Sequence, residues 1–196
     1  MRLELRQVTE GRGETILEQR LELQQILRLQ LLLDIDHSKT VHELLADALE
    51  GRLADRSTSF SERVFPGKGS GFARYLFRMA RLRRSTVPLG IAELREHLAS
   101  VGLQMATIKE LVYCTRHIPA VAFGGGGRRL LGAGSVGALD HDPEQLCVPY
   151  ASSSKGNWRY GVEPVSVTNL HLGSNDFLLL RRSMEYSGPN DPSAPS

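Results

Sequence analysis

The sequence predicts an α+β fold, with N-terminal and central helices followed by a small antiparallel C-terminal sheet or barrel. Two observations predict it. Segments with helix caps and helix-period apolar residues fill the chain up to about residue 116. Beyond His117, short apolar runs alternate with Gly, Pro, Ser, Asn and Asp, the punctuation of strands and turns. Residues 14–114 are accordingly expected to be mainly helical and 117–182 mainly strand. With 41% apolar and 23% charged residues in a chain of 196, there is enough material for a packed core without metals or disulfides.

The first segment, 1–65, is Leu/Gln-rich and expected to be helical. "RLEL" at 2–5 alternates as a short strand would, and "EGRG" at 10–13 reads as a turn. "ETILEQRLELQQILRLQLLLDID" (14–36) satisfies two periods. Its residues are strong helix formers, and Ile16, Leu17, Leu21, Leu27, Leu31 and Leu32 share a helical arc, yet "RLEL" and "LRLQL" alternate with period two. Propensity and length favour the helix. Ile26, Leu29 and Leu33 then fall on its other side, as a surface for another chain. The wording "LQQILRLQ" resembles the glutamine- and leucine-rich first region of sigma-54 factors. The DNA-reading box and second half of that family are absent here, so no function comes across. "TVHELLADALEG" (40–51) is a clear helix: Thr40 and Glu43 form a capping box, and Gly51 supplies a stop.

The second segment, 66–116, is basic. It carries 9 Lys/Arg against 3 Asp/Glu, whereas 1–65 carries 9 against 12 and 117–196 carries 6 against 7. "PGKGSGFARYLFRMARLRRS" (66–85) holds six basic residues and no acidic one. Placed on a helix at about 100° per residue, Arg74, Arg78 and Arg81 share one arc. With Lys68, Arg83 and Arg84 they are the candidate nucleic-acid contacts, a guanidinium stripe laid along phosphates. An acidic protein surface would suit the same stripe, and so would a solvated helix back whose Arg stems cover apolar surface. "IAELREHLASVGLQMATIKELV" (91–112) reads as two helices meeting at Gly102, with Thr107 and Glu110 repeating the capping box. A DNA-reading version would present Gln104, Thr107 and Lys109.

The third segment, 117–186, is Gly-rich and expected to be β; 187–196 reads as a disordered tail. "GAGSVG" (132–137) matches a dinucleotide-binding spacing, but Pro143 and the short remaining chain leave no room for the helix that the pyrophosphate needs. The glycines are expected at turns, bulges or close backbone approaches. Ser135 lacks the nucleophile-elbow spacing. Asp140, His141 and Asp142 are adjacent, His37 and His42 lack a third ligand, and His171 and Asp176 flank a "GSND" turn. No catalytic residue, metal site or cofactor is expected.

Cys114 and Cys147 sit among apolar residues outside any C-x-x-C pair, and are expected as buried, reduced thiols. No secretory pattern or membrane span is visible, and a cytoplasmic protein is expected. The functional expectation is a non-enzymatic binding protein that meets nucleic acid, or a ribonucleoprotein or polymerase surface, through the basic helix. The alternatives are an adaptor or homo-oligomer joined through the Leu/Gln-rich helix, and a small enzyme using the Gly-rich sheet.

Overall fold

"FARYLFRMARL" at 72–82, expected as the basic helix, is an extended strand at the centre of a sheet. The computed structural model describes residues 3–5, 19–21, 23–24, 30–48, 60–67, 71–82, 90–123, 128–139, 142–165 and 176–184. In chain order the elements are β1 (Leu3–Leu5), β2 (Gln19–Leu21), β3 (Leu23–Gln24), β4 (Gln30–Asp36), α1 (Val41–Ala48), β5 (Phe72–Leu82), α2 (Ile91–Ser100), β6 (Gln104–Met105), α3 (Ile108–His117) and α4 (Ala120–Phe123). Then come β7 (Arg129–Leu131), β8 (Gly137–Leu139), β9 (Asp142–Ser154), β10 (Asn157–Val165) and β11 (Asp176–Met184). Among the described residues, β1 and β2 form a two-stranded sheet, and nine strands join one mixed sheet along the path β10-β9-β7-β11-β5-β3. β4 also pairs with β5, β6 with β11 and β8 with β9.

The helix-led α+β expectation is therefore overturned. The fold is mainly β, and its sheet draws strands from the first, second and third charge segments alike. The reason lies in pairing. β5 has a long antiparallel partner on each side: Gln30–Asp36 of β4 run against Arg78–Phe72, and Leu178–Met184 of β11 run against Ala80–Arg74. A central strand satisfies its backbone through two ladders, which outweighs the modest helix propensity of Arg, Leu, Met and Ala. Residues 30–36 form the strand β4 through one described ladder, against β5, and their exposure alternates over much of the strand as period two requires. The helix expected across 14–36 is replaced by strands at 19–21, 23–24 and 30–36.

The sheet is buried on both faces near its middle. In β11, Phe177 and Leu179 join one apolar cluster with α1, α3, Phe60 and Phe65, while Leu178 and Leu180 join a second with Leu94 and Leu98 of α2. Neighbouring residues of β7 and β9 divide the same way: Leu130, Cys147 and Ala151 on one side, Leu131 and Val148 on the other. An apolar run without alternation is what a doubly covered strand requires.

The helices that do form follow their caps. The Thr40 N–H donates to Glu43 Oε2 at 2.7 Å and the Glu43 N–H to Thr40 Oγ1 at 3.1 Å. The Thr107 N–H donates to Glu110 Oε2 at 2.8 Å. Gly102, at φ +70°, turns the chain out of α2. The two helices expected on either side of Gly102 form as α2 and α3, and between them Gln104 and Met105 pair with Arg181 and Leu180 of β11. Residues 108–115 of α3 are all buried, which leaves no recognition face for a groove.

"GAGSVG" closes over the start of α3, as a close approach rather than a simple hairpin. A Cβ at Gly134 would lie 2.2 Å from Met105 O, and one at Gly137 would lie 2.1 Å from Val64 O. Both obstacles are backbone. Gly137→Ala is expected to destabilise the fold by about 2–3 kcal/mol, since overpacking against immovable atoms forces the sheet to shift. Chemical denaturation checks this; a loss under about 0.5 kcal/mol, the range of a neutral surface change, would refute the close approach.

Candidate functional site

Beneath β5 and β11, where the first turn of α3 meets the Gly-rich connection, lies an open cleft of about 620 Å3. Four parts of the chain supply its polar wall. His37 follows β4, Tyr75 comes from β5, Lys109 from α3 and Arg181 from β11. Arg95 of α2 and Ser135 complete it, and Phe65, Ile108 and Val136 add apolar surface. The strand alternation of β5 decides which residues arrive there. Tyr75 and Phe77 share one face with Ala73, whereas Arg74, Leu76 and Arg78 share the other.

Glu110 organises the wall from below. Fully buried, it takes the Thr107 N–H on one oxygen and the Arg181 guanidinium on the other. That second oxygen lies 3.8 Å from His37 Nε2. Arg181 also donates to Gln104 Oε1 at 3.1 Å and stacks over the Tyr75 ring, its guanidinium carbon 4.7 Å from the centroid. His37 Nε2 and the Tyr75 hydroxyl are hydrogen-bonded at 3.2 Å. Lys109, only 7% exposed, donates to His37 O at 2.9 Å and pairs with Glu62 at 3.3 Å. Burial pushes His37 below the usual imidazole range, and the Arg181 and Lys109 charges push it further, so the ring is neutral at pH 7. Ser135 Oγ accepts the Ile108 N–H at 3.0 Å, holding the connection against the helix.

Of the residues expected to bind nucleic acid, the three that are described, Arg74, Arg78 and Arg81, do not form one ridge. On a strand, Arg74 and Arg78 lie on the same face about 13 Å apart, at a rise of ~3.3 Å per residue, and Arg81 points to the opposite face. Arg74 is held by Asp34 of the neighbouring strand through two bonds, at 2.7 and 2.9 Å. That bond in turn holds the Asp34 carboxyl below the usual range. Lys68, Arg83 and Arg84 lie outside the described residues. So do Ile26 and Leu29 of the expected partner surface, while Leu33 sits beside Tyr75 and packs against the core. Beside these charges the outer face presents apolar side chains: Leu32 is 55% exposed, Phe72 59% and Met184 42%. Leu76 and Arg182 lie between them in register.

Both thiols are free and buried. Burial raises the Cys114 thiol well above its ordinary value and raises Cys147 as well, which disfavours the thiolate in both. Among the described residues no cluster of His, Cys, Asp and Glu could hold a metal ion. No helix among them is long and apolar enough to cross a membrane. Comparison with known protein families, curated proteins and solved structures finds no match to this chain.

The cleft residues were hidden from sequence reading by distance along the chain. Glu110 was visible only as a capping residue, Lys109 as a helix-start residue that a DNA-reading version would present, and Arg181 only as the end of a strand. Removing Glu110 by an Ala substitution is expected to cost about 3 kcal/mol of stability, because it leaves the Arg181 charge half-buried and the cap unmade. Thermal unfolding of Glu110→Ala beside Glu43→Ala, an exposed cap, checks this. Equal losses in the two variants would mean that the buried pair contributes nothing special.

Proposed function

We propose that the protein is a non-enzymatic binding protein whose cleft takes a small anionic ligand. One observation carries this: Arg95, Lys109 and Arg181 line the cleft together with His37, and no carboxylate is among the described lining residues. Anions are drawn to such a concave, partly apolar site by charges held in reduced dielectric. The cleft volume lies within the ~300–1,000 Å3 usual for small-molecule sites. The two buried, unpaired thiols favour a reducing, cytoplasmic setting for it.

Calorimetric titration with a panel of small anions, at fixed ionic strength, tests the reading against a neutral sugar. At least one phosphate or carboxylate compound is expected to bind. Arg95→Gln, on the exposed side of α2, is expected to weaken binding several-fold with little change in stability. A panel that binds nowhere, or binding that ignores Arg95, would remove the cleft as the site.

A second reading keeps the nucleic-acid partner but moves it from a helix to the outer sheet face. It is favoured by Phe72, exposed at one end of β5, with Arg78 about 20 Å further along the same face and Arg182 beside Leu76 between them. A ring can stack a base while guanidiniums further along the face meet phosphates. With Arg74 engaged by Asp34, two guanidiniums remain on that face. The double variant Arg78→Gln, Arg182→Gln is expected to lower the slope of log K against log salt by up to ~2 for single-stranded DNA. An unchanged slope in the folded variant would leave the cleft reading alone.

A further inference from the structure

The charges around the cleft do not balance. Lys109 and Arg181 are each bonded to one carboxylate, Glu62 and Glu110. Arg95 adds a third cation to the wall, so these five groups sum to +1. A singly charged anion would close that sum without help, whereas a dianion calls for one further positive charge on the wall. One group on the wall can supply the missing charge. His37 lines the cleft, its Nε2 hydrogen-bonded only to the neutral Tyr75 hydroxyl, and 3.8 Å from a Glu110 oxygen that already serves Arg181.

We infer that the cleft ligand is a compact dianion of the phosphate-monoester class, and that it binds together with one proton taken up on His37. This rests on the anion-binding reading of the cleft and deepens it. The groups facing His37 come from every element around it: Tyr75 from β5, Glu110 and Lys109 from α3, Arg181 from β11 and Asp36 from β4. Arg181 and Lys109 oppose its protonation. Asp36 favours it, but by less than either cation opposes it. Protonation therefore waits for a further negative charge, and the ligand brings it.

The sign follows from linkage. The free His37 sits below the ordinary imidazole value, and a bound dianion moves it up. Between the free and bound values the complex holds one more proton than its separate parts, so affinity rises as pH falls, by about tenfold per pH unit. Above the bound value the dependence vanishes.

Sulfate is the probe, because it stays doubly charged across pH 5 to 8 and any pH dependence belongs to the protein. Titration calorimetry of the full chain at constant ionic strength is expected to show sulfate binding that strengthens about tenfold per unit through part of that range. Repeating it in buffers of different ionisation enthalpy should show uptake of up to one proton per sulfate, a readout that needs no variant. His37→Gln keeps a group able to bond Tyr75, and is expected to bind more weakly and without pH dependence. Sulfate binding in the wild type that is flat in pH, or an undiminished slope in the His37→Gln variant, would overturn the proton-coupled dianion while leaving the cleft an anion site. No binding of sulfate or of any panel anion at any pH would instead remove the anion-binding reading itself, and this inference with it.

Discussion

The carboxylate of Glu110 connects three things that must be held together for the cleft to exist. It caps α3 through the Thr107 N–H, it anchors β11 through Arg181, and it sets the charge beside His37. A carboxylate with no exposure is tolerated when both of its oxygens are hydrogen-bonded and an opposite charge is close. Here both conditions are met by groups far apart in the chain, so the helix start and the strand end cannot drift independently. Lys109, one residue earlier, extends the same fixing to the turn after β4 through the His37 carbonyl. The cleft wall is therefore set by a short span of α3, with neighbouring strands delivered to it.

Sheet geometry decides everything else about which side chains face which partner. Because β5 lies between β4 and β11, each of its residues is committed to one of two surfaces. Tyr75, Phe77 and Met79 go to the cleft and the larger core, and Phe72, Arg74, Leu76 and Arg78 go to the other face. That other face is covered by α2 only at one end, where Ala80, Leu178 and Leu180 are buried. Towards Phe72 and Met184 it is open. Cleft and outer face are thus the two sides of the same strands, and a ligand on one does not compete sterically with a partner on the other.

What the sequence revealed was mostly local. The caps at Thr40 and Thr107, the exit of α2 at Gly102 and the strands after residue 128 can be read from a few adjacent residues, because the bonds that define them are local. The segment 72–82 was misread because spacings of four and three satisfy a helical arc, while the alternation that a strand imposes is blurred where both faces are partly covered. Only the presence of β4 and β11 breaks that tie, and neither is encoded within the segment. The cleft was illegible for the same reason. His37, Tyr75, Lys109 and Arg181 each look ordinary, and their meeting depends on strand order, which no spacing in this chain announces.

The charge excess of the middle third shows how a one-dimensional signal changes meaning in three dimensions. Along the chain, 66–116 is strongly positive and 1–65 negative, which points to an external polyanion. In the fold the two segments face each other: Arg74 meets Asp34, Lys109 meets Glu62, and Arg116 comes within 3.9 Å of Asp47. Much of the apparent anion-binding surface is spent on internal pairing, mostly near solvent where each pair contributes little to stability. On the proposed anion-binding reading, the cations that matter are Arg95 and Arg181, which reach the cleft beside His37 from α2 and β11, where no described lining residue is a carboxylate.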